Sequence, residues 1–452
     1  MQSPRSFNRR AFLKATAASS LAFPFFVPRL VSAPPSDRIL HASFGAGGMA
    51  RADLTEFIKH PNLQLVAVAD VEPAKANDLK QKFPALRVYE DWREMVDKEK
   101  ELTSVNVSTP DHMHAPMAMS AMRRGLHVYG QKPLTHDIYE TRKVTEFARD
   151  KKLVTQMGIQ IHSSSVYRQA VQLVQTGAIG KVKEVHTWSS KKWGDNKPKP
   201  GRVDPVPAGF NWDLWVGVCA ERPFIGQGWY HPGEWRKRLD FGTGTFGDMG
   251  CHIYDPVFKA LALTAPVSVR SEGPAPNDHS WATNALIHYV FPGTQFTEGK
   301  TVRVTWYDGD QRPPVAIQDL VRVTSRDPDA KPWKLTDQGS IVIGTKGVLL
   351  IPHVDRPKLF PVEQYADFKR PETQSANHWH QFVDAILGKD KTQANFDYAG
   401  PMTEAVLLGS VATRFPNTTL DWNVKKMTFN VKEANQFVRR KYRKGWEVKG
   451  LS

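Results

Sequence analysis

The chain has 452 residues, 40% hydrophobic and 24% charged. That is too long for a single core and has the composition of a soluble globular protein of two or three domains. Its formal net charge is +15, but five cations, Arg5, Arg9, Arg10, Lys14 and Arg29, precede the first acid, Asp37, and the remaining excess is diffuse apart from the tail FVRRKYRKGW. No basic helix or aromatic–basic module argues for nucleic acid, so the tail is read as a solvated face or a clamp on the body. Two cysteines, Cys219 and Cys251, make no disulfide framework and are expected to be free thiols.

In chain order, residues 1–33 read as a targeting segment. Arg9-Arg10-Ala11-Phe12-Leu13-Lys14 resembles the twin-arginine export signal, with a small-residue site at Val31-Ser32-Ala33. Pro24 and Pro28 break the apolar run, so no stable membrane span is expected. The resemblance implies the twin-arginine machinery as a partner and a periplasmic or otherwise exported location. That route carries folded proteins, so a nucleotide would be loaded before export.

From Ile39 the pattern alternates apolar runs and helical stretches, as in βαβ units. Ile39–Phe44 reads as a strand running into Gly45-Ala46-Gly47-Gly48-Met49-Ala50, the G-x-G-x-x-A form of the dinucleotide-binding turn, followed by a helix over Arg51–His60. The strand Leu63–Asp70 ends in an acid 25 residues after Gly45, where a ribose-binding carboxylate belongs. No Lys or Arg follows before Lys75, which favours NAD over NADP. A helix over Pro73–Phe83, a strand Arg87–Tyr89 and a helix Trp92–Lys98 come next. The strand Thr103–Pro110 opens into Asp111-His112-Met113-His114, and a helix spans His114–Arg124. His127–Tyr129 is a strand ending in Gly130-Gln131-Lys132-Pro133, Ile138–Asp150 a helix and Leu153–Gln160 the last strand.

After Gln160 the character changes. A helix over Tyr167–Gly177 leads into an alternating strand, VKEVHTWSS, and Lys191–Pro232 is rich in Pro, Gly and Trp without periodicity, long enough to line a site or an interface. Further alternating strands, ATNALIHYVF, TVRVTWYD and GSIVIGTKGVLLI, predict an antiparallel sheet with one face free to cover a ligand. Helices are predicted at His378–Leu387 and Thr403–Thr413. In Gly247-Asp248-Met249-Gly250-Cys251-His252-Ile253-Tyr254-Asp255, a helix would place Asp248, His252 and Asp255 on one face. The pairs His112-x-His114 and His378-x-His380 diverge on a helix and no Cys/His set has zinc spacing, so no metal is expected.

The Gly turn, VAVAD, STPDHMH, the Lys-Pro after the fifth strand, MGIQ and the D-x-G-x-H-x-x-D pattern at Asp248–Asp255 resemble the glucose–fructose oxidoreductase / inositol dehydrogenase / rhizopine-catabolism family, from Ile39 to the C-terminus. One departure is Gln131, where the family has Glu in a Glu-Lys-Pro motif. The resemblance implies an α/β protein, with a Rossmann domain over 37–160 and a C-terminal α/β domain over 161–452. The latter would carry a large, mostly antiparallel open sheet for substrate binding and homo-oligomerisation. It implies Lys132 and His252 as acid/base and Asp248 positioning the substrate or the imidazole. The cofactor contacts expected are Gly45, Ala46, Gly47, Gly48, Met49, Asp70, Thr109, Pro110, His114 and Lys132, with Asp111 beside the nicotinamide. The substrate contacts expected are Gln160, Tyr167, Arg168, Trp235, Arg236 and Asp255.

The function expected is hydride transfer from a sugar, polyol or glycoside to a tightly bound NAD. One alternative is glycoside cleavage through a transient ketone with the same bound NAD. The other is a non-catalytic sugar-binding protein on the same fold.

Overall fold

The computed structural model describes residues 38–323 and 333–452, so the targeting segment at 1–33 lies outside the described residues. The first sheet holds β1 (Ile39–Phe44), β2 (Leu63–Ala69), β3 (Arg87–Tyr89), β4 (Ser104–Val107), β5 (His127–Gly130) and β6 (Thr155–Met157). Its order is β3-β2-β1-β4-β5-β6, parallel throughout. Parallel neighbours need crossovers, and helices α1 (Gly48–Phe57), α2 (Asn77–Lys82), α3 (Trp92–Lys98), α4 (His114–Arg123) and α5 (Ile138–Asp150) provide them. The strand order reverses between β1 and β4, which opens a crevice at their C-terminal ends.

Local chemistry sets several boundaries. α1 begins at Gly48, three residues before the expected Arg51, because Gly47 is its N-cap. β4 stops at Val107, so that Ser108–Pro110 turn out along the crevice. α5 carries a capping box between Asp137 and Glu140.

The second sheet holds β7 (Val182–Ser189), β8 (Ser268–Ser271), β9 (Leu286–Pro292), β10 (Thr301–Asp308), β11 (Gln338–Gly344), β12 (Val348–Pro352), β13 (Lys358–Phe360), β14 (Thr419–Asn423) and β15 (Thr428–Phe429). The order is β13-β12-β11-β7-β10-β9-β8-β14-β15, and only β7/β10 is parallel among these described strands. Its helices are α6 (Ser165–Gln175), α7 (Trp212–Val216), α8 (Gly244–Ala260), α9 (Val315–Asp319), α10 (His378–Ile386) and α11 (Phe396–Ala412). α11 starts seven residues before the expected Thr403. Pro401 lies inside it and removes one backbone N–H donor, and Asn395 caps Tyr398 N–H.

α8 packs against α6, α11, β7 and β11. One apolar core runs from Phe44, Val107 and Met157 in the first domain to Phe246, Tyr254, Tyr289 and Trp306 in the second. The Trp-rich segment folds on itself as a satellite cluster of Phe210, Trp212, Trp215, Phe224, Trp229 and Phe241. The basic tail is a clamp. Tyr442 Oη donates to Glu140, Arg443 N–H and Nε donate to the carbonyls of Val218 and Gly217, and Arg93 stacks 4.2 Å over Trp446. Both cysteines are buried free thiols. Burial pushes Cys251 up to about 12, so this thiol is inert despite sitting in the α8 motif.

One buried carboxylate makes a stability prediction. Asp308 accepts N–H bonds from Ala285 and Trp306, but burial pushes it up to about 7. Its folded value lies above its unfolded one, so its contribution to stability is complete below about pH 4 and is lost as pH rises through about 7. Asp308→Asn carries no such titration. Its stability relative to wild type is expected to improve between pH 4 and 8 by on the order of 4 kcal/mol at most. Parallel pH curves of the two denaturation midpoints would contradict this.

Candidate active site

The crevice is a cleft of about 360 Å³, within the roughly 300–1,000 Å³ of ordinary small-ligand pockets. At one end lies the Gly turn. Gly45 has φ +101° and sits so close to β4 that a Cβ would lie 2.8 Å from the Ser108 carbonyl oxygen. No side chain caps the N-terminus of α1, and no acid occupies its first turn, so its N–H groups and dipole face the cleft beside Gly45, Gly47, Gly48 and Met49. Asp70 accepts from the backbone N–H of Ala46 (2.8 Å) and Glu72 (2.9 Å). Burial raises its carboxyl and these bonds oppose the rise. A carboxylate pinned from behind keeps lone pairs for a ribose diol. An uncapped helix end, a glycine cradle and a fixed acid together fit a dinucleotide.

The satellite cluster reaches over this end of the cleft. Asn211 N–H donates to the Val71 carbonyl (2.9 Å), Asn211 Nδ2 donates to Glu90 (2.9 Å), and His231 Nε2 lies 2.7 Å from Glu72. Trp215, His231 and Trp235 join the lining.

The same cleft holds the reactive groups. Lys132 Nζ donates to Asp248 Oδ1 (2.6 Å) and to the Asp248 carbonyl (2.9 Å). Both side chains are about 15% exposed, open to the cleft. Burial alone would raise the Asp248 carboxyl, but Lys132, Arg236 and His252 hold it below the usual range. Arg236 Nε lies 3.4 Å from the same oxygen, and its guanidinium stacks 4.4 Å from Trp235. Asp111 lines the cleft and accepts from Thr243 N–H and Oγ1 (3.1 and 2.7 Å), which ties it to the start of α8.

His252, one turn after Asp248, lines a second, narrower cavity with Tyr167, Ser340 and His353. Burial, then Lys132 and His353, push its imidazole down to about 3, with Asp248 opposing, so it is neutral at working pH. Its Nδ1 is buried with no hydrogen-bond partner among the described residues.

Of the residues expected from the sequence, the cleft gathers Gly45, Gly47, Gly48, Met49, Asp70, Thr109, Pro110, Lys132, Trp235, Arg236 and Asp248. Ala46 contributes its backbone N–H to Asp70. The others lie elsewhere. His114 is buried and not among the residues that line the cleft, its ring nitrogens each 2.7 Å from the carbonyl oxygens of Pro133 and Thr109, so it fixes those two loops. Asp255 is fully buried and is taken up by His162, Tyr167 and Tyr398 in place of a substrate. Gln160 is not among the residues that line the cleft and bonds toward Tyr129 and Asp53. Arg168 turns to the Gln374 carbonyl on the segment that crosses the N-terminus of α6. Sequence reasoning missed His231, Glu72, Glu90, Trp215 and His353, none of which sits in a local motif. Among the described residues no cluster of His, Cys, Asp and Glu could hold a metal, and no helix is long and apolar enough to cross a membrane.

Comparison with known proteins agrees with this geometry. Residues 40–159 match the family described as "Oxidoreductase family, NAD-binding Rossmann fold", and residues 170–302 match its "C-terminal alpha/beta domain". A levoglucosan dehydrogenase of Pseudarthrobacter phenanthrenivorans is 24% identical over 42% of this chain and 40% of its own length. An inositol 2-dehydrogenase of Rubrobacter xylanophilus is 30% identical over 32% of this chain and 42% of its own. These matches thus span less than half of either relative. Among solved structures, the aldose–aldose oxidoreductase of Caulobacter crescentus complexed with glycerol has a TM-score of 0.56 at 15% identity, covering 85% of this chain and 99% of its own. The WlbA dehydrogenase of Bordetella pertussis, in complex with NADH and UDP-GlcNAcA, has a TM-score of 0.59 at 11% identity, covering 86% and 99%. The chain belongs to the glucose–fructose oxidoreductase / inositol dehydrogenase / rhizopine-catabolism family of NAD-binding oxidoreductases.

Proposed function

We propose that this protein is an exported, self-associating oxidoreductase that oxidises a CH–OH group of a sugar, polyol or glycoside with a retained NAD. The observation that carries the reading is the Lys132–Asp248 pair in one cleft with the Gly turn and Asp70. NAD, when bound, supplies the hydride acceptor. The chain's own task is the proton. Lys132 Nζ, an ammonium held by the carboxylate and carbonyl of Asp248, passes one proton to that carboxylate 2.6 Å away as it takes up the proton of the carbinol hydroxyl. Neutral His252 offers a hydrogen-bonding imidazole without competing for charge, and Arg236 and Trp235 hold the sugar at the cleft wall. Asn211 and His231, anchored to the rim, close the nucleotide end and favour retention over exchange. Residues 1–33 direct export by the twin-arginine machinery.

The test uses protein purified without added cofactor and sized by light scattering. Bound nicotinamide at about one per chain, changing redox state on addition of sugars or polyols, is the expected result. An empty protein without affinity for NAD overturns the reading and favours an inert sugar-binding scaffold. A second reading is favoured by the aromatic lining of the cleft, which includes Trp92, Trp215 and Trp235, the kind of surface a sugar ring packs against. In it the same bound NAD serves a redox-neutral cleavage of a glycoside through a transient ketone. Release of nitrophenol from a nitrophenyl glycoside without added NAD selects that chemistry, and accumulation of ketone without release selects net oxidation.

A further inference from the structure

Asp53 lies on α1, fully buried, where an α/β helix face ordinarily carries an apolar residue. Its carboxylate accepts from Gln131 Nε2 at 3.0 and 2.9 Å, from Ser108 Oγ at 2.7 Å and from Trp379 Nε1 at 2.9 Å. None of these donors is charged. Among the described residues, Tyr129 is a titratable group whose ionisation Asp53 opposes, and burial raises that phenol far above its ordinary value. Burial pushes Asp53 up to about 6, with the four side-chain donors, Gln160 included, opposing the rise. A buried carboxylate without a cation is costly, and an apolar residue would fill the same place at no such cost.

Gln131, immediately before Lys132, explains what the carboxylate does. An ionised carboxylate only accepts. It therefore holds the Gln131 amide one way round, with Nε2 toward Asp53 and Oε1 toward the backbone N–H of Lys132, 3.3 Å away. Gly158 closes the other side, since a Cβ there would lie 2.7 Å from the amide. Where the family carries Glu-Lys-Pro, this chain has Gln. A glutamate at 131 would set two carboxylates about 3 Å apart, and one would have to stay protonated. The negative charge that the lysine motif lacks is instead present one layer back, on the helix that begins at the Gly turn.

We propose that Asp53 is a positioning residue for Lys132, acting through Gln131, and that Asp53 and Gln131 form a matched pair. The donors to its carboxylate come from the end of β4, the end of β5 and α10, while Asp53 itself sits on α1. One carboxylate thereby ties the nucleotide turn, the lysine loop and the second domain together. The inference rests on the reading of Lys132 as the proton acceptor.

The test compares Asp53→Asn, Gln131→Glu and the double variant, each purified with its bound nicotinamide. In Asp53→Asn the lone carbonyl oxygen cannot serve every donor, and in Gln131→Glu the two acids repel. Each single change is expected to lower kcat about 10- to 100-fold, as displacement of a reacting group does, with the sugar KM little changed. In the double variant the amide introduced at position 53 donates to the carboxylate introduced at position 131, and kcat is expected to return to within about threefold of wild type. A purely structural role would lower the thermal midpoint but leave kcat per folded molecule unchanged, and that result overturns the proposal. So does a double variant that folds, keeps its nicotinamide and stays as slow as the singles. If Asp53→Asn does not fold, Gln131→Met carries the test, and wild-type kcat there overturns it. Lys132→Met separates the two claims. Full turnover in it removes the reading of Lys132, whereas an inactive Lys132→Met beside fully active Asp53 and Gln131 variants removes only the pairing.

Discussion

Replacing Lys132 by methionine is expected to lower turnover about 10²–10⁴-fold, the range that a positioned acid/base group contributes. The side-chain amine touches Asp248 through both its carboxylate and its carbonyl. Methionine keeps the length and much of the packing but accepts no proton. Most of the bound nicotinamide should be retained, because Lys132 is one cofactor contact beside the several that the Gly turn and Asp70 supply. The variant should also be less stable at neutral pH, by on the order of 1–3 kcal/mol, since Asp248 loses its bonded cation and keeps Arg236 at 3.4 Å. The pH sense of that loss follows from the direction of the shift. Asp248 in the folded protein titrates below its ordinary value, so its pairing stabilises the fold above about pH 4 and the benefit fades as pH falls through the folded value. The stability gap between wild type and Lys132→Met should accordingly narrow below pH 4. A Lys132→Met enzyme that turns over at the wild-type rate has its proton acceptor elsewhere, and a gap that widens on acidification contradicts the Lys132–Asp248 assignment.

The parts of the site that are legible in the sequence are those carried by short-range signals. Gly45, Asp70 and Lys132 each follow a strand, so a punctuation change in the sequence marks them, and Asp248, inside α8, is marked by its spacing to His252. Asp255 shows the limit of such reasoning. Seven residues after Asp248 it does fall on the same helical face, but it also lies about 10 Å further along the axis. That depth takes it from the cleft into the core, where His162 and two tyrosines satisfy it. His114 does lie beside the Thr109 loop, yet two carbonyl oxygens claim its ring. Asp53 reads in sequence as an ordinary polar position in RADLTEF. Only the fold brings Trp379, 326 residues away, against it. The satellite cluster is recognisable as more than an idle loop by its tryptophans. Its grip on Val71, Glu72 and Glu90 is not, because those contacts join segments more than a hundred residues apart. Local pattern thus predicts which groups can react. The groups that hold them in place come from everywhere, since burying a polar network requires donors from several elements at once.

Valine at position 45 is expected to yield protein without nicotinamide. The backbone there has φ +101°, a region that β-branched residues avoid, and the Cβ would meet the Ser108 carbonyl oxygen at 2.8 Å and the Ala50 Cβ at 3.0 Å. Both obstacles are rigid. Ser108 N–H bonds the Phe44 carbonyl, and Ala50 is locked in the first turn of α1. The turn must therefore open and move α1 off β4, displacing the N–H groups of its N-terminus. The backbone conformation alone costs about 1–3 kcal/mol, and the loss of the phosphate cradle removes binding as well. Gly125→Ala is the matched control. Its φ is +80°, equally foreign to a side chain, but nothing among the described residues lies within 4 Å of the added Cβ. It should lower the thermal midpoint by a comparable backbone strain and keep its full complement of nicotinamide, read by absorbance after dialysis. If Gly45→Val retained the cofactor, the nucleotide would have to sit away from the β1–α1 turn. If Gly125→Ala lost it, the effect of Gly45→Val would be one of global stability, and the close approach of the turn to β4 would not be what holds the cofactor.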